Sequence, residues 1–376
     1  MIFPLLAAAL FTLATLLPLA LVGLVRLLLR RRQRTFWRRV LWLHAGLFVL
    51  HLFVVFPLVL GFVGSRVIVT RHDERAYAGP RIDADGTLRI QDRASLKREL
   101  AAGGPDVGSE VVAAAIARAH RIPSSGGVVL RAFRVESRRE PPVAAVVMVH
   151  GLFRSAMELE RVASMLRDLG CECWLLELRN HGGSSRAPFT GGLHESDDVV
   201  AAVRYVRSRP GRAGTPMVLY GVSLGTVAVS LALPRLDGIA AVVLDSPIDD
   251  LHAAASRMLT FDREGDRRSI FYLHEPWRSS TIAALGWWSG FRVEDVSPSD
   301  VLATLPHDLP LLVIGAGQDD RAPPASVEAL FARLPMPAER RELWLVPDAH
   351  HGDVCHHSPE QYRQHLQRLL AHLRGR

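Results

Sequence analysis

Two long apolar runs open the chain. Residues 2–25 and 40–63 are almost wholly apolar, and each has the roughly 20 residues that a helix needs to cross a bilayer. Beyond residue 143 the pattern changes. Short apolar runs at 143–149, 173–178, 217–220, 240–244, 311–314 and 342–346 read as strands, and 155–169, 196–208, 224–233 and 359–373 have helical spacing. Continuous apolar strands are the mark of a sheet buried on both faces. Their alternation with helices predicts an α/β fold, a mostly parallel sheet covered by helices on both sides. Residues 128–136 read as a strand with one exposed face. About sixty residues, 246–308, separate two of the strands, too many for a plain connection.

Charge sharpens the picture of the N-terminus. The chain has 376 residues and a net charge of +7, but its first 66 residues carry eight arginines and no acidic residue. The rest holds 37 basic and 38 acidic residues, so the body is near neutral and nucleic acid is not an expected partner. The arginines concentrate at 26–39, between the apolar runs, with Trp37 and Trp42 where interfacial aromatics belong. This predicts a transmembrane helical hairpin over 1–65. Its arginine-rich turn is expected in the cytoplasm and the body outside it. Residues 66–127 read as a linker, with a short hairpin near 81–90 and helical spacing at 92–102 and 109–120. Residues 128–376 form the predicted main domain. The cysteines, Cys171, Cys173 and Cys355, suit neither a disulfide framework nor a zinc ribbon.

The chemistry collects where the strands end. Residues 221–225 read G-V-S-L-G, between a predicted strand and a predicted helix. A serine on so tight a turn has its hydroxyl exposed, and glycines two positions away let strand and helix pass closely. After the other strands come His150-Gly151-Leu152, then R-N-H-G-G-S from Arg179, then Q-D-D-R-A-P-P from Gln318, then A-H-H-G from Ala349. A nucleophile, an acid and a histidine therefore fall at one end of the sheet, where open α/β sheets bind their ligands.

With these motifs in this order, residues 128–373 resemble the α/β-hydrolase-fold serine hydrolases. Asn180 departs from the glycine common there. The resemblance implies that Ser223 is the nucleophile, with a histidine as its base and an aspartate behind the histidine. It favours Asp319, with Asp320 as the alternate, and His351, with His350 as the alternate. It implies an oxyanion hole from the backbone N–H groups of Leu152 and Leu224, and a cap formed by residues 246–308, whose aromatic residues would either seat the cap on the body or receive an apolar acyl group. The implied activity is hydrolysis of a carboxylic ester or thioester, on a small acyl substrate of possible lipid origin. No cofactor and no metal are expected. Rival readings are a prolyl-oligopeptidase-like peptidase or amidase, and a membrane scaffold that keeps the fold without the activity. His150 and His181 are expected to brace loop backbone.

Overall fold

Eight strands pair into one sheet, and their register sets up the site. We define β1 as Ala78–Ile82, β2 as Leu88–Gln91, β3 as His120–Pro123, β4 as Val129–Val135 and β5 as Ala145–Val149. The remaining strands are β6 Glu172–Glu177, β7 Met217–Val222, β8 Ile239–Asp245, β9 Leu311–Ala316 and β10 Arg341–Val346. The computed structural model describes residues 24–25, 34–67, 78–82, 88–91, 119–260 and 273–373. The large sheet has the order β10-β9-β8-β7-β5-β6-β4-β3. Pairing is parallel from β6 through β5 to β10, and antiparallel where β4 joins β3 and β6. All but one of the apolar runs are central strands, and every residue of β5, β6, β7 and β9 is buried, whereas β10 forms a half-buried edge. The hairpin anticipated near 81–90 is the separate antiparallel pair β1–β2.

The chain leaves β5 for β6 on one side and later returns as β7 on the other. β5 is thus the point where the winding reverses, and the crevice beyond its carboxyl end is the default ligand position in such sheets. Val149 lies opposite Gly221, Gly221 opposite Leu244, and Leu244 opposite Val313. The strands therefore finish nearly level, and the residues that follow them gather at one edge.

Five helices of the described chain cover this sheet: α3 Glu160–Asp168, α4 Glu195–Arg207, α5 Leu224–Ala232, α9 Pro324–Ala332 and α11 Pro359–Ala371. The predicted helix at 155–169 starts as a 3-10 turn, Ala156–Leu159, before α3 begins. The helical spacing at 92–102 lies outside the described residues, as does that at 109–120 except for its last two. There His120 opens the edge strand β3 instead of closing a helix.

The chain divides into two compact units. One comprises residues 68–254 and 294–376 and holds the sheet. The other comprises residues 1–67 and 255–293, so most of the stretch expected as a cap is grouped with the N-terminal helix. In that second unit, α1 (Arg34–Leu50) runs through a π turn (His51–Val55) into α2 (Phe56–Val67). Among the described residues one helix, Arg38–Ser65, is long and apolar enough to cross a membrane, with 28 residues and a mean hydropathy of 2.5. The other arm of the expected hairpin lies outside the described residues, except for Leu24 and Val25.

Sequence explains how the insertion helix α7 (Trp277–Ser289) seats on this helix. In the π turn the Phe56 N–H donates to His51 O instead of Leu52 O. The next possible backbone donor to Leu52 O is residue 57, a proline without an N–H. The Trp277 indole N–H meets that carbonyl at 2.8 Å, and its ring stacks on Phe53 at 5.6 Å. Farther along both helices the Trp288 indole N–H also meets a backbone carbonyl, Leu58 O, at 3.1 Å. Gly61 permits the approach: a Cβ there would stand 2.7 Å from Ala284 Cβ.

Candidate active site

The turn between β7 and α5 needs all three residues of its motif. Ser223 has φ 54 and ψ −120, a conformation that strains any residue with a Cβ. A Cβ on Gly221 would lie 2.6 Å from Gly225 O, and one on Gly225 only 2.3 Å from Val149 O. The glycines are therefore dictated by the close passage of the helix over β5 and over its own strand. Four non-glycine residues in the described chain have positive φ: Phe153, Asn180, Ser223 and Ser246. Each lies one to four residues beyond the end of β5, β6, β7 or β8 respectively. Backbone strain of this kind clusters where a fold holds functional groups. It also accounts for Asn180, since asparagine tolerates the left-handed region better than most side chains.

Ser223, His351 and Asp319 come together. His351 Nε2 lies 2.7 Å from Ser223 Oγ, and His351 Nδ1 lies 2.7 Å from Asp319 Oδ2. A carboxylate can only accept, so Nδ1 carries the proton and Nε2 is free to accept from the serine hydroxyl. Asp319 is 4% exposed, and its second oxygen takes the N–H groups of Arg321 and Ala322 at 2.9 and 2.8 Å. Its neighbours in the two doublets lie elsewhere: Asp320 and His350 are exposed, and no contact among the described residues joins either to Ser223.

Two further backbone donors belong to residues close to Ser223. Leu224 is the first residue of α5, directly after Ser223, where helix N–H groups have no partner within the helix. Leu152 follows His150-Gly151, and a Cβ on Gly151 would be 3.2 Å from Ser223 Cβ. Among the described residues neither N–H has a hydrogen-bond partner. The turn around Leu152 is braced by histidines. The Leu178 N–H donates to His150 Nε2 at 3.2 Å, which leaves the His150 Nδ1–H to donate to Gly151 O at 2.7 Å. The Phe153 N–H donates to His181 Nε2 at 3.3 Å, and the His181 Nδ1–H donates to Arg179 O at 2.9 Å.

Three acids support the site's loops, Glu177 and Asp245 buried and Glu158 half-buried. Glu177 accepts from Arg131 Nε at 2.6 Å and from the Gly183 N–H at 2.8 Å, fixing the R-N-H-G-G-S turn. Asp245 accepts from the Tyr362 hydroxyl at 2.7 Å and from Ser246 Oγ at 3.1 Å. Ser246 Oγ in turn takes the Gly352 N–H, next to His351, at 3.0 Å. Burial pushes the Asp245 carboxyl up, against its hydrogen bonds from Tyr362 and Ser246. Glu158, in the 3-10 turn before α3, accepts the Gly151 N–H at 2.6 Å. Burial pushes its carboxyl up as well, opposed by the Gly151 hydrogen bond, Arg154 and His351. Nothing in the sequence singles out Glu158, Ser246 or Tyr362. Glu158 stands in E-L-E within a helical pattern, where nothing local separates it from a solvated glutamate.

The sequence profile of the Alpha/beta hydrolase family matches residues 146–365. The uncharacterized protein YfhR of Salmonella typhimurium is 24% identical over 228 residues, 58% of this chain and 67% of that protein. The uncharacterized protein Rv2307c of Mycobacterium tuberculosis is 28% identical over 210 residues, 56% of this chain and 63% of that one. The matches thus span about two thirds of the length of these curated relatives. Among solved structures, the Pyrococcus furiosus esterase Pf2001 superposes with a TM-score of 0.53 at 19% identity, over 67% of this chain and 89% of its own. Est1E from Butyrivibrio proteoclasticus, with ferulic acid bound, gives 0.51 at 17% identity, over 68% of this chain and 100% of its own. At such identities the structural likeness speaks for the fold alone.

Proposed function

Because the chain belongs to the Alpha/beta hydrolase family, we propose that it is a membrane-anchored serine hydrolase of carboxylic esters or thioesters. The observation that carries this reading is the pair of 2.7 Å contacts linking Ser223 Oγ to His351 and His351 to Asp319. Ser223 Oγ attacks the carbonyl carbon while His351 Nε2 takes its proton. Asp319 holds the tautomer that makes this transfer possible and stabilises the imidazolium. The oxygen of the tetrahedral intermediate gains negative charge and accepts from the Leu152 and Leu224 N–H groups. Collapse breaks the bond to the alcohol or thiol, which leaves with the proton from His351. Water then attacks the acyl-serine by the same steps, and the acid is released.

The ester class is supported by the esterase names of the structures of like fold. The anchor reading is supported by the 28-residue apolar helix Arg38–Ser65, and it favours acyl groups that reside in a bilayer. The orientation that follows from the arginines places residues 26–39 in the cytoplasm and the catalytic unit on the other side.

The decisive test is labelling of the membrane-bound protein with a fluorophosphonate, alongside Ser223→Ala. Labelling and ester turnover are both expected to vanish in the variant. A folded wild-type protein that neither labels nor turns over esters or thioesters would overturn the proposal.

A further inference from the structure

We propose that Glu158 is a positioning residue of the oxyanion turn: it holds the Gly151 N–H so that the next N–H, that of Leu152, stays aimed at the oxygen developing above Ser223. The inference rests on the serine-hydrolase reading and adds a residue to it.

The turn His150-Gly151-Leu152-Phe153 has little stiffness of its own. Gly151 is its least restricted residue, and Phe153 sits at φ 59, in the left-handed region. Something outside the turn must hold it. The Gly151 carbonyl is held by the His150 Nδ1–H at 2.7 Å and by the Arg154 N–H at 3.3 Å. A trans peptide points its N–H opposite to its carbonyl, so fixing Gly151 O aims the Leu152 N–H the other way. Phe153 N–H is taken by His181. The remaining freedom is rotation about Gly151 itself, and the Glu158 carboxylate removes it by accepting the Gly151 N–H at 2.6 Å. The N–H groups of residues 151, 153 and 154 are thus all engaged, and that of Leu152 is left for a substrate.

A plainer role does not fit the placement as well. Arg154 approaches Glu158 at 3.5 Å, but the arginine side chain is 62% exposed, and pairs of that kind contribute little. The glutamate is the more enclosed partner, its side chain 19% exposed. A Cβ on Gly151 would be 3.2 Å from both Glu158 Oε2 and Ser223 Cβ, so the carboxylate and the serine both close on the side of the glycine where a side chain would project. Burial raising the carboxyl agrees with a group held there by reach and not by solvation. A second possibility is that the charge of Glu158 acts on the His351 imidazolium.

Reach and charge are separable by two substitutions. Glu158→Gln keeps the length and an accepting oxygen but loses the charge. Glu158→Asp keeps the charge but is one methylene too short. Each is assayed for kcat and KM on a short p-nitrophenyl ester and for inhibition by a trifluoromethyl ketone, which forms an oxyanion on the serine. Glu158→Asp is expected to lose about 100-fold in kcat and in ketone affinity, as misaligned groups do, with KM changed less than about threefold. Glu158→Gln should stay within about tenfold of wild type. An active Asp variant beside an inactive Gln variant would overturn the proposal in favour of charge, and wild-type behaviour of both would overturn it outright. Wild-type protein that fails to label at Ser223 would instead bring down the underlying reading, and this inference with it.

Discussion

At the scale of single residues, adjacent side chains of like chemistry are separated by what their atoms meet. Asp319 spends one oxygen on two backbone N–H groups and the other on His351, while Asp320 is exposed. Asp319→Asn should therefore lower kcat by about 10⁴-fold. Asp320→Asn should leave steady-state kinetics near wild type. The doublets themselves were legible in the sequence, and the choice within each leaned on resemblance, because neighbours on a loop differ only in where the backbone turns them. A further residue-scale expectation concerns Glu195, which is fully buried and accepts from Thr190 Oγ1 and the Gly192 N–H, both at 2.8 Å. Burial raises its carboxyl in spite of these donors. A carboxyl raised on folding favours the folded state while protonated, and that contribution is lost as pH climbs from the ordinary glutamate range, about 4.3, through the raised folded value. Glu195→Gln does not titrate. Urea unfolding across this window should show the variant gaining on wild type as pH rises, with a constant difference above it.

At the scale of elements, a proline in one helix has an answer in another. Pro57 leaves Leu52 O without a regular backbone donor, and Trp277, 220 residues further on in the chain, supplies one. Trp277→Phe should destabilise the protein in detergent by about 1 kcal/mol, and by up to about 3 kcal/mol if the carbonyl is left dry. Trp287, 66% exposed, is the control: Trp287→Phe should have no measurable effect on the same unfolding curve. Pro57→Ala restores a donor and should shrink the Trp277→Phe penalty, a coupling that a double-mutant cycle reads directly. The strands and helices of the main domain were legible because burial imposes a period on them. The π turn and the edge strand His120–Pro123 were not. A π turn has the same apolar composition as the helix around it, and a four-residue edge strand is too short to show a period.

At the scale of the whole molecule, the contiguous cap anticipated over residues 246–308 is divided between units. Residues 255–293 are grouped with the N-terminal helix, and the rest belongs to the unit that holds the sheet. The aromatic residues expected either to seat the cap or to bind an acyl group include two, Trp277 and Trp288, whose indoles are engaged on that helix. If Arg38–Ser65 anchors the protein, it should remain with membranes after alkaline carbonate washing, and removal of residues 1–67 should abolish that retention. Release of the intact chain by carbonate would count against the anchor.

Local patterns were sufficient for the class of fold, the strand-to-helix turn at Ser223 and the apolar character of the N-terminus. Each depends on neighbours within a few positions: the period of burial, the glycines flanking a tight turn, the length of an apolar run. Packing between distant segments decided the rest. The register of β5, β7, β8 and β9 brings the strand ends level, the fold of the last loop turns His351 and not His350 toward Ser223, and the 3-10 turn Ala156–Leu159 returns Glu158 to the Gly151 N–H. Such contacts join residues that are remote in sequence, and no local period encodes which of two equal side chains will face inward.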